Sequence, residues 1–213
     1  MRFDLQIIAS LIGDGSRVLD LGCGKGDLLR HLRERKRAEG FGIEIDEHEV
    51  IECVEKGLSV LHGDMNEETR DFADGSFDYV ILSQTLQQVF DPDRIIGEML
   101  RIGRTGIVSF PCFNHIAIKL QLLLKSRAPV TEELPYEWFN TPNIRVITLR
   151  DFRGFCAHRG IRIIDEIAIA THHRDETGKV VRFLPDWFAK YGIFALTRPA
   201  GEMPRPERDS RRG

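Results

Sequence analysis

Val18 to Gly26 reads VLDLGCGKG, and the next ten residues, DLLRHLRERK from Asp27, have helical periodicity. An apolar strand therefore runs into a glycine turn of pattern D-x-G-x-G-x-G and then into a helix, with glycines at 22, 24 and 26. Glycine at such a turn lets the backbone bend tightly and lets a ligand approach the peptide groups closely. A dinucleotide fingerprint counted from Gly22 requires glycine at position 27, where this chain has Asp27. A carboxylate at the helix start is a poor neighbour for a pyrophosphate, so a ligand without phosphate fits better. Asp20 ends the strand just before the turn and is placed to meet a cationic or amine-bearing ligand.

Working outward, short apolar runs alternate with helical ones. The strands are expected at Val18–Leu21, Gly40–Ile45, Ser59–His62, Tyr79–Leu82 and Gly106–Phe110. Helices are expected at Asp4–Ile12, Asp27–Arg35, His48–Lys56 and Asp93–Arg101, the last two stopping near Gly57 and Gly103. This order predicts an α/β fold, a doubly wound and mostly parallel sheet with right-handed crossovers. After Phe110 come a broadly apolar helix at Asn114–Lys125 and an irregular stretch rich in Pro, aromatics and acids. Thr148 and Asp151 form a T-x-x-D cap for a helix carrying Leu149, Phe152 and Phe155, ending at Gly160. Ile161–Ala170 and Ile193–Thr197 are expected as an antiparallel edge pair finishing the sheet. The expected organisation is one domain over 1–198 with a helical and loop insertion or lid at 113–148, and a disordered tail over 199–213.

Acids recur at the strand ends. Glu44 closes GFGIE, 24 positions after Asp20, where an acid in this architecture accepts from a ribose diol. Ile45 comes next and can pack on an adenine face. Gly63-Asp64-Met65 comes after the third strand, offering a carboxylate to an exocyclic amine and an apolar flank. These are the features of a nucleoside site.

The chain has 213 residues, 42% hydrophobic and 30% charged, enough for a sizeable core without a metal or disulfide. Thirty basic against thirty-three acidic residues give a net charge of -3, which argues against a basic nucleic-acid footprint or a membrane-surface protein. Cys23, Cys53, Cys112 and Cys156 lie far apart with no C-x-x-C pair, the pattern of reduced thiols in the cytoplasm. The N-terminus lacks a signal-peptide core, and Ile116–Leu124 is about half a membrane span and interrupted by Lys119 and Gln121. A soluble, cytoplasmic protein without a metal site is expected.

Together, Asp20-x-Gly22-x-Gly24-x-Gly26, Glu44 and Gly63-Asp64 resemble the S-adenosylmethionine site of a class I, Rossmann-like methyltransferase. Longer strings resemble one family: GSRVLDLGCGKGDLL, ILSQTLQQV (Ile81–Val89), IVSFPCFNH (Ile107–His115) and VTEELPYEWFNTPNIRVITLRDF (Val130–Phe152) are similar to the MetW family of methionine-biosynthesis proteins, from about Arg2 to Thr197. The resemblance implies a methyltransferase fold that binds S-adenosylmethionine or S-adenosylhomocysteine and an accessory or regulatory partnership with homoserine O-acyltransferase. Oligomeric state is open. The expected cofactor-binding residues are Asp20, Gly22, Gly24, Gly26, Glu44, Ile45, Asp64 and Met65, with Cys23 inside the turn and Ser83 after the fourth strand.

The acceptor side reads differently. Many related O-methyltransferases carry an acid-histidine pair after the fourth strand, whereas this chain has Gln87-Gln88. Amides do not exchange a proton near neutral pH, so a general base is missing there, and the two glutamines serve equally well as caps. The alternative of an active methyltransferase survives for a nitrogen or sulfur that is already nucleophilic. Its weak catalytic candidates are His115 and Tyr136. Tyr136, Glu137, Trp138 and Asn140 read as a lid, as packing or as partner surface. His172-His173 with Asp175 reads as a surface turn, and Cys23 as a small space-filling residue. The apolar helix Ile116–Leu124 reads as core by default, with a breadth that also suits a partner. The D/N-P-P-Y/F motif of nucleic-acid methyltransferases is replaced by Ser83-Gln84-Thr85-Leu86.

Overall fold

The glycine turn sits near the middle of an eight-stranded sheet. In a computed structural model, residues 1–131, 134–172 and 175–198 are described; the expected tail, 199–213, and His173 lie outside them. The strands are β1 (Arg17–Leu21), β2 (Glu39–Glu44), β3 (Ser59–His62), β4 (Phe77–Ser83), β5 (Gly103–Pro111), β6 (Arg162–Ala170), β7 (Lys179–Val180) and β8 (Tyr191–Thr197). Their spatial order is β3-β2-β1-β4-β5-β8-β6-β7. The first five are parallel, and β8 runs antiparallel to both β5 and β6. The chain order reverses between β1 and β4, which opens a crevice at the carboxyl edge of those two strands.

Alternation along the strands separates two apolar layers. Val18, Ile81, Ile107 and Ile193 face one side, against Ile8 of α1 (Phe3–Leu11), Ile12 just after it, and Leu28 and Leu32 of α2 (Asp27–Lys36). Leu19, Leu21, Val80, Leu82, Val108 and Phe110 face the other. By the same alternation Asp20 shares the α1 and α2 side with Val18. α3 (Glu47–Glu55) and the short α4 (Met65–Glu68) come after β2 and β3. α5 (Pro92–Ile102) buries Ile95, Ile96 and Met99 and runs into β5 without a loop. That junction needs Gly103, since a Cβ there would lie 2.6 Å from a Val80 methyl.

Beyond β5 the chain makes α6 (Ile116–Lys125), an irregular stretch, and α7 (Leu149–His158). The Thr148 hydroxyl accepts from Asp151 N–H at 3.1 Å and donates to the Asp151 carboxylate at 2.6 Å, as the T-x-x-D cap predicts. Phe152 of α7 packs on Phe110 and Phe194, at centroid distances of 5.1 and 4.7 Å. α8 (Pro185–Phe188) precedes β8.

Two expectations need correction, and one element was not expected. The last strand is not at an edge: β8 is inserted between β5 and β6 and is buried over nearly its whole length. The edge is the two-residue β7, which local pattern alone could not reveal. Second, α6 is not core. It buries only Ile118 fully, and its leucines face solvent. The unexpected element is α4, a further helical turn just after β3, begun by Asp64 as its N-cap.

Candidate functional site

The crevice is built from the turn upward. Gly22 and Gly26 both have φ of 72°, in the region that L side chains rarely adopt. A Cβ on Gly22 would sit 3.0 Å from the Thr85 hydroxyl, so the β1 turn and the β4 turn approach each other backbone to side chain. A Cβ on Gly26 would meet Leu58 at 2.3 Å and the Cys53 sulfur at 2.8 Å, so glycine there lets the start of α2 lie flush against α3 and the turn that follows it. Asp27 lies to the side, half-exposed and 3.7 Å from the Lys56 ammonium.

Glu44 closes β2 beside the turn. Its Oε2 accepts from Gly24 N–H at 2.8 Å, and its Oε1 accepts from Ile45 N–H at 2.8 Å and Asp46 N–H at 3.0 Å. The carboxylate thus fastens the glycine turn to the β2 end. Ile45, next to it, is 66% exposed, an apolar face at the rim with nothing of this chain on it.

Asp20 lies beneath the turn, only 3% exposed, and its Oδ1 has no hydrogen-bond partner. Burial, reinforced by the Glu44 carboxylate and opposed by Arg2, pushes Asp20 up to about 7 from its ordinary 3.8. Near neutral pH this carboxyl is poised between its two charge states. A buried orphan acceptor costs about 1–3 kcal/mol and is best explained by a donor that arrives with a ligand.

Sequence reasoning missed the N-terminal contribution. The buried Asp4 of α1 pairs with Arg2 at 3.1 Å and accepts from Gln84 Nε2 at 2.6 Å. Gln84 itself adopts a left-handed φ of 53° after β4 and donates its N–H to Ser109 O at 2.9 Å. A strained non-glycine residue at a strand end is costly and typical of a ligand site. The Arg2-x-Asp4 spacing was the available signal, but its partner is 80 positions away.

The other expected residues divide. Ser83 is at the β4 end, its hydroxyl 3.1 Å from that of Ser109. Asp64 caps α4 through Asn66 N–H at 2.8 Å and is exposed, with Met65 half-buried against the core. The Cys23 side chain turns under the loop toward Leu29 and Cys53, and burial pushes its thiol well up, away from reactivity. Asp20, Gly22, Gly24, Glu44 and Ser83 thus lie at the carboxyl ends of adjacent strands, while Cys23 contributes only backbone.

On the acceptor side, the buried Gln87 donates Nε2–H to Gln84 O at 2.6 Å, and its Oε1 has no partner. Its backbone O accepts from Ile144 N–H at 2.9 Å and Arg145 N–H at 3.0 Å, tying the insertion to the β4 end. Nδ1 of His115 accepts from Ala117 N–H at 3.2 Å, which makes the imidazole the N-cap of α6. Tyr136 is exposed, and Trp138 and Phe139 line a concavity of about 400 Å³ with Arg127, Ala128 and Glu137, apart from the strand ends. His172 O accepts from Asp175 N–H at 3.1 Å, and no group of three metal-ligating side chains occurs among the described residues. Nor, among them, is any helix long and apolar enough to cross a membrane.

These atoms determine the kind of ligand the crevice can hold. An orphaned buried carboxylate oxygen, a strand-end carboxylate and an exposed apolar rim at Ile45 are chemically compatible with a cationic nucleoside such as S-adenosylmethionine. No phosphate-binding basic residue is needed.

Comparison with known proteins agrees with this architecture. The family described as "Methionine biosynthesis protein MetW" matches residues 2–196. A bifunctional methionine biosynthesis protein MetXA/MetW of Rhodopirellula baltica is 35% identical over 176 residues, covering 78% of this chain but 28% of its own length. The ubiquinone/menaquinone biosynthesis C-methyltransferase UbiE of Stenotrophomonas maltophilia is 32% identical over 108 residues, 47% of this chain and 43% of that protein. The chain thus spans less than half the length of either relative. Among solved structures, a SAM-dependent methyltransferase of Thermotoga maritima superposes with TM-score 0.67 at 18% identity, covering 92% of this chain and 88% of that one. The cyclase SpnF superposes with TM-score 0.63 at 17% identity, covering 92% and 81%. The fold is therefore that of S-adenosylmethionine-dependent methyltransferases, and the chain belongs to the MetW family of methionine-biosynthesis proteins.

Proposed function

We propose that this chain is a nucleoside-binding accessory subunit of methionine biosynthesis, which binds S-adenosylmethionine or S-adenosylhomocysteine and regulates homoserine O-acyltransferase in the cytoplasm. The observation that carries the reading is an asymmetry. The cofactor side offers Asp20, Glu44 and the glycine turn, while the acceptor side has an amide, Gln87, where a proton acceptor is expected. The other candidate base, His115, is occupied as a helix cap. S-adenosylmethionine supplies an electrophilic methyl group on a sulfonium, but nothing at Gln87 can take a proton from an acceptor hydroxyl. In this reading Asp20 receives the ligand's positive end and Glu44 its ribose diol. Ile45 covers the adenine, and Asp64 and Met65 flank it. The described chain to Arg198 acts as one domain, with 113–148 inserted between β5 and α7.

The fused MetXA/MetW relative supports the partnership, its MetXA portion being read as the acyltransferase. Four free, buried cysteines support a reducing compartment. The test is acyl transfer by the acyltransferase with and without this chain, at zero and saturating nucleoside. A change of rate that depends on nucleoside is expected. Thermodynamic linkage then requires nucleoside and partner to alter each other's affinity by the same factor. Association without any change of rate, and with equal nucleoside affinity in free chain and complex, rules out regulation.

A second reading, methyl transfer to an amine or thiol, is favoured by one atom. The buried Gln87 Oε1 is an unused acceptor suited to a substrate N–H. Label from S-adenosylmethionine appearing in a small molecule of a cell extract, and lost with Asp20→Ala, decides for it.

A further inference from the structure

α6 and the segment after it leave a large apolar surface uncovered. Leu123 and Leu124 are 77% and 76% exposed, and Leu120 and Leu122 are exposed as well. Ala117, Leu120 and Leu124 recur at spacings of three and four, so they form a stripe on one helix face, widened by Leu123. The helix is held to the body by its opposite side: Ile118 is buried, and the Lys119 ammonium lies 3.8 Å over the Trp187 ring and donates to Asp186 O at 3.2 Å. The stripe therefore faces outward because the helix is anchored that way.

The surface continues beyond the helix. Gln121 and Lys125 share a concavity of about 160 Å³ with Val130 and Glu137, and Arg127 and Ala128 join it to the larger one under Trp138 and Phe139. Trp138 is 76% exposed, and its ring meets that of Phe139 edge-on at 5.8 Å. Aromatic side chains bring ~150–250 Å² each, so these two rings with Leu120, Leu123 and Leu124 offer roughly several hundred Å² of apolar surface, toward the ~800 Å² per partner of a standard interface. A lone soluble chain rarely exposes more than a few hundred Å² of contiguous apolar surface.

We propose that this surface, the outer stripe of α6 with Trp138 and Phe139, is where the acyltransferase docks. The inference rests on the partnership proposed above and adds its location. Two observations choose this occupant over a second copy of the chain. In the Rhodopirellula baltica relative a MetW unit shares one polypeptide with a MetXA unit, and most of that relative's length lies outside the matched region. Fusion holds two units at high effective concentration, as expected where their surfaces must meet. The patch also belongs to the insertion whose Ile144 and Arg145 N–H groups are bonded to Gln87 O, so the segment that carries it is tied by its own backbone to the β4 end. Lys125 and Arg127 stand exposed at its border. The docked surface is accordingly apolar at its centre with acidic groups at its rim.

The experiment is a titration of the acyltransferase with the full chain, in wild-type form, as Leu123→Glu/Leu124→Glu, as Trp138→Ala, and as Val54→Glu on α3 near the other end of the sheet. Roughly 100-fold or greater weakening is expected for the double variant, a smaller loss for Trp138→Ala, and no change for Val54→Glu. Nucleoside affinity and melting of the free variants should match wild type, which separates lost docking from lost folding; Trp138→Ala, outside any helix, stands in if the double variant unfolds. Wild-type affinity in both surface variants overturns the location while leaving the partnership intact. No association of the wild-type chain overturns the partnership itself. A wild-type dimer in solution that Leu123→Glu/Leu124→Glu dissociates overturns the choice of occupant.

Discussion

Asp20 carries the sharpest consequence at the scale of single residues. Its folded pKa of about 7 lies above the ordinary 3.8, so between those values the folded chain holds a proton that the unfolded chain has released. Stability is therefore greatest below about pH 4 as far as this group is concerned, and is lost as pH rises through 7. A rise of that size corresponds to an upper figure of ~4 kcal/mol. Asp20→Asn should flatten that dependence: urea unfolding of the ligand-free protein at pH 5 and pH 8 should show a smaller difference for the variant than for wild type. A cationic ligand favours the ionised carboxylate, so its affinity should fall as pH drops from 8 to 6. At Gly26, alanine faces both a left-handed φ and a methyl carbon 2.3 Å away. Gly26→Ala should cost ~2–4 kcal/mol, read as a lowered melting temperature. The glycines, Asp20 and Glu44 were legible in the sequence because a strand-turn-helix pattern fixes which strand end each occupies. Arg2, Asp4 and Gln84 were not, because an ion pair and a hydrogen bond joining α1 to β4 leave no local periodicity.

Elements were legible where their chemistry is local. The cap Thr148 with Leu149, Phe152 and Phe155 defines α7 from one short string; Leu149 and Phe152 are buried as it implies, Phe155 is partly buried, and Cys156 joins the core besides. Thr148→Ala removes an acceptor for Asp151 N–H and should cost ~1 kcal/mol by thermal or chemical melting. Unchanged affinity for nucleoside would show that α7 supports the β5–β8 part of the sheet rather than the crevice. The place of β8 was not legible, since a strand's own pattern reports burial and not which neighbours it enters between. α6 misled for a related reason. Apolar residues on most sides of a helix imply that something covers them, but not whether the cover is the same chain. Here one side is anchored through Ile118 and Lys119 and the other is bare.

At the scale of the whole molecule, two halves of the sheet do different work. The parallel half, with its order reversal between β1 and β4, gathers Asp20, Glu44 and the glycine turn at one edge. The half beyond β5 raises α6 and the insertion, and hydrogen bonds from residues 144 and 145 to Gln87 join the two. In the proposed reading, those hydrogen bonds are the route by which a partner on the insertion and a nucleoside in the crevice change each other's binding. All of this depends on the crevice accepting a sulfonium nucleoside. Calorimetric titration of the purified chain with S-adenosylmethionine and S-adenosylhomocysteine, alongside Glu44→Gln, measures it directly. Saturable binding of one nucleoside per chain, weakened roughly 10-fold or more by the substitution, is the predicted result. Absence of binding to the wild-type chain at millimolar nucleoside, or equal binding by the variant, contradicts it.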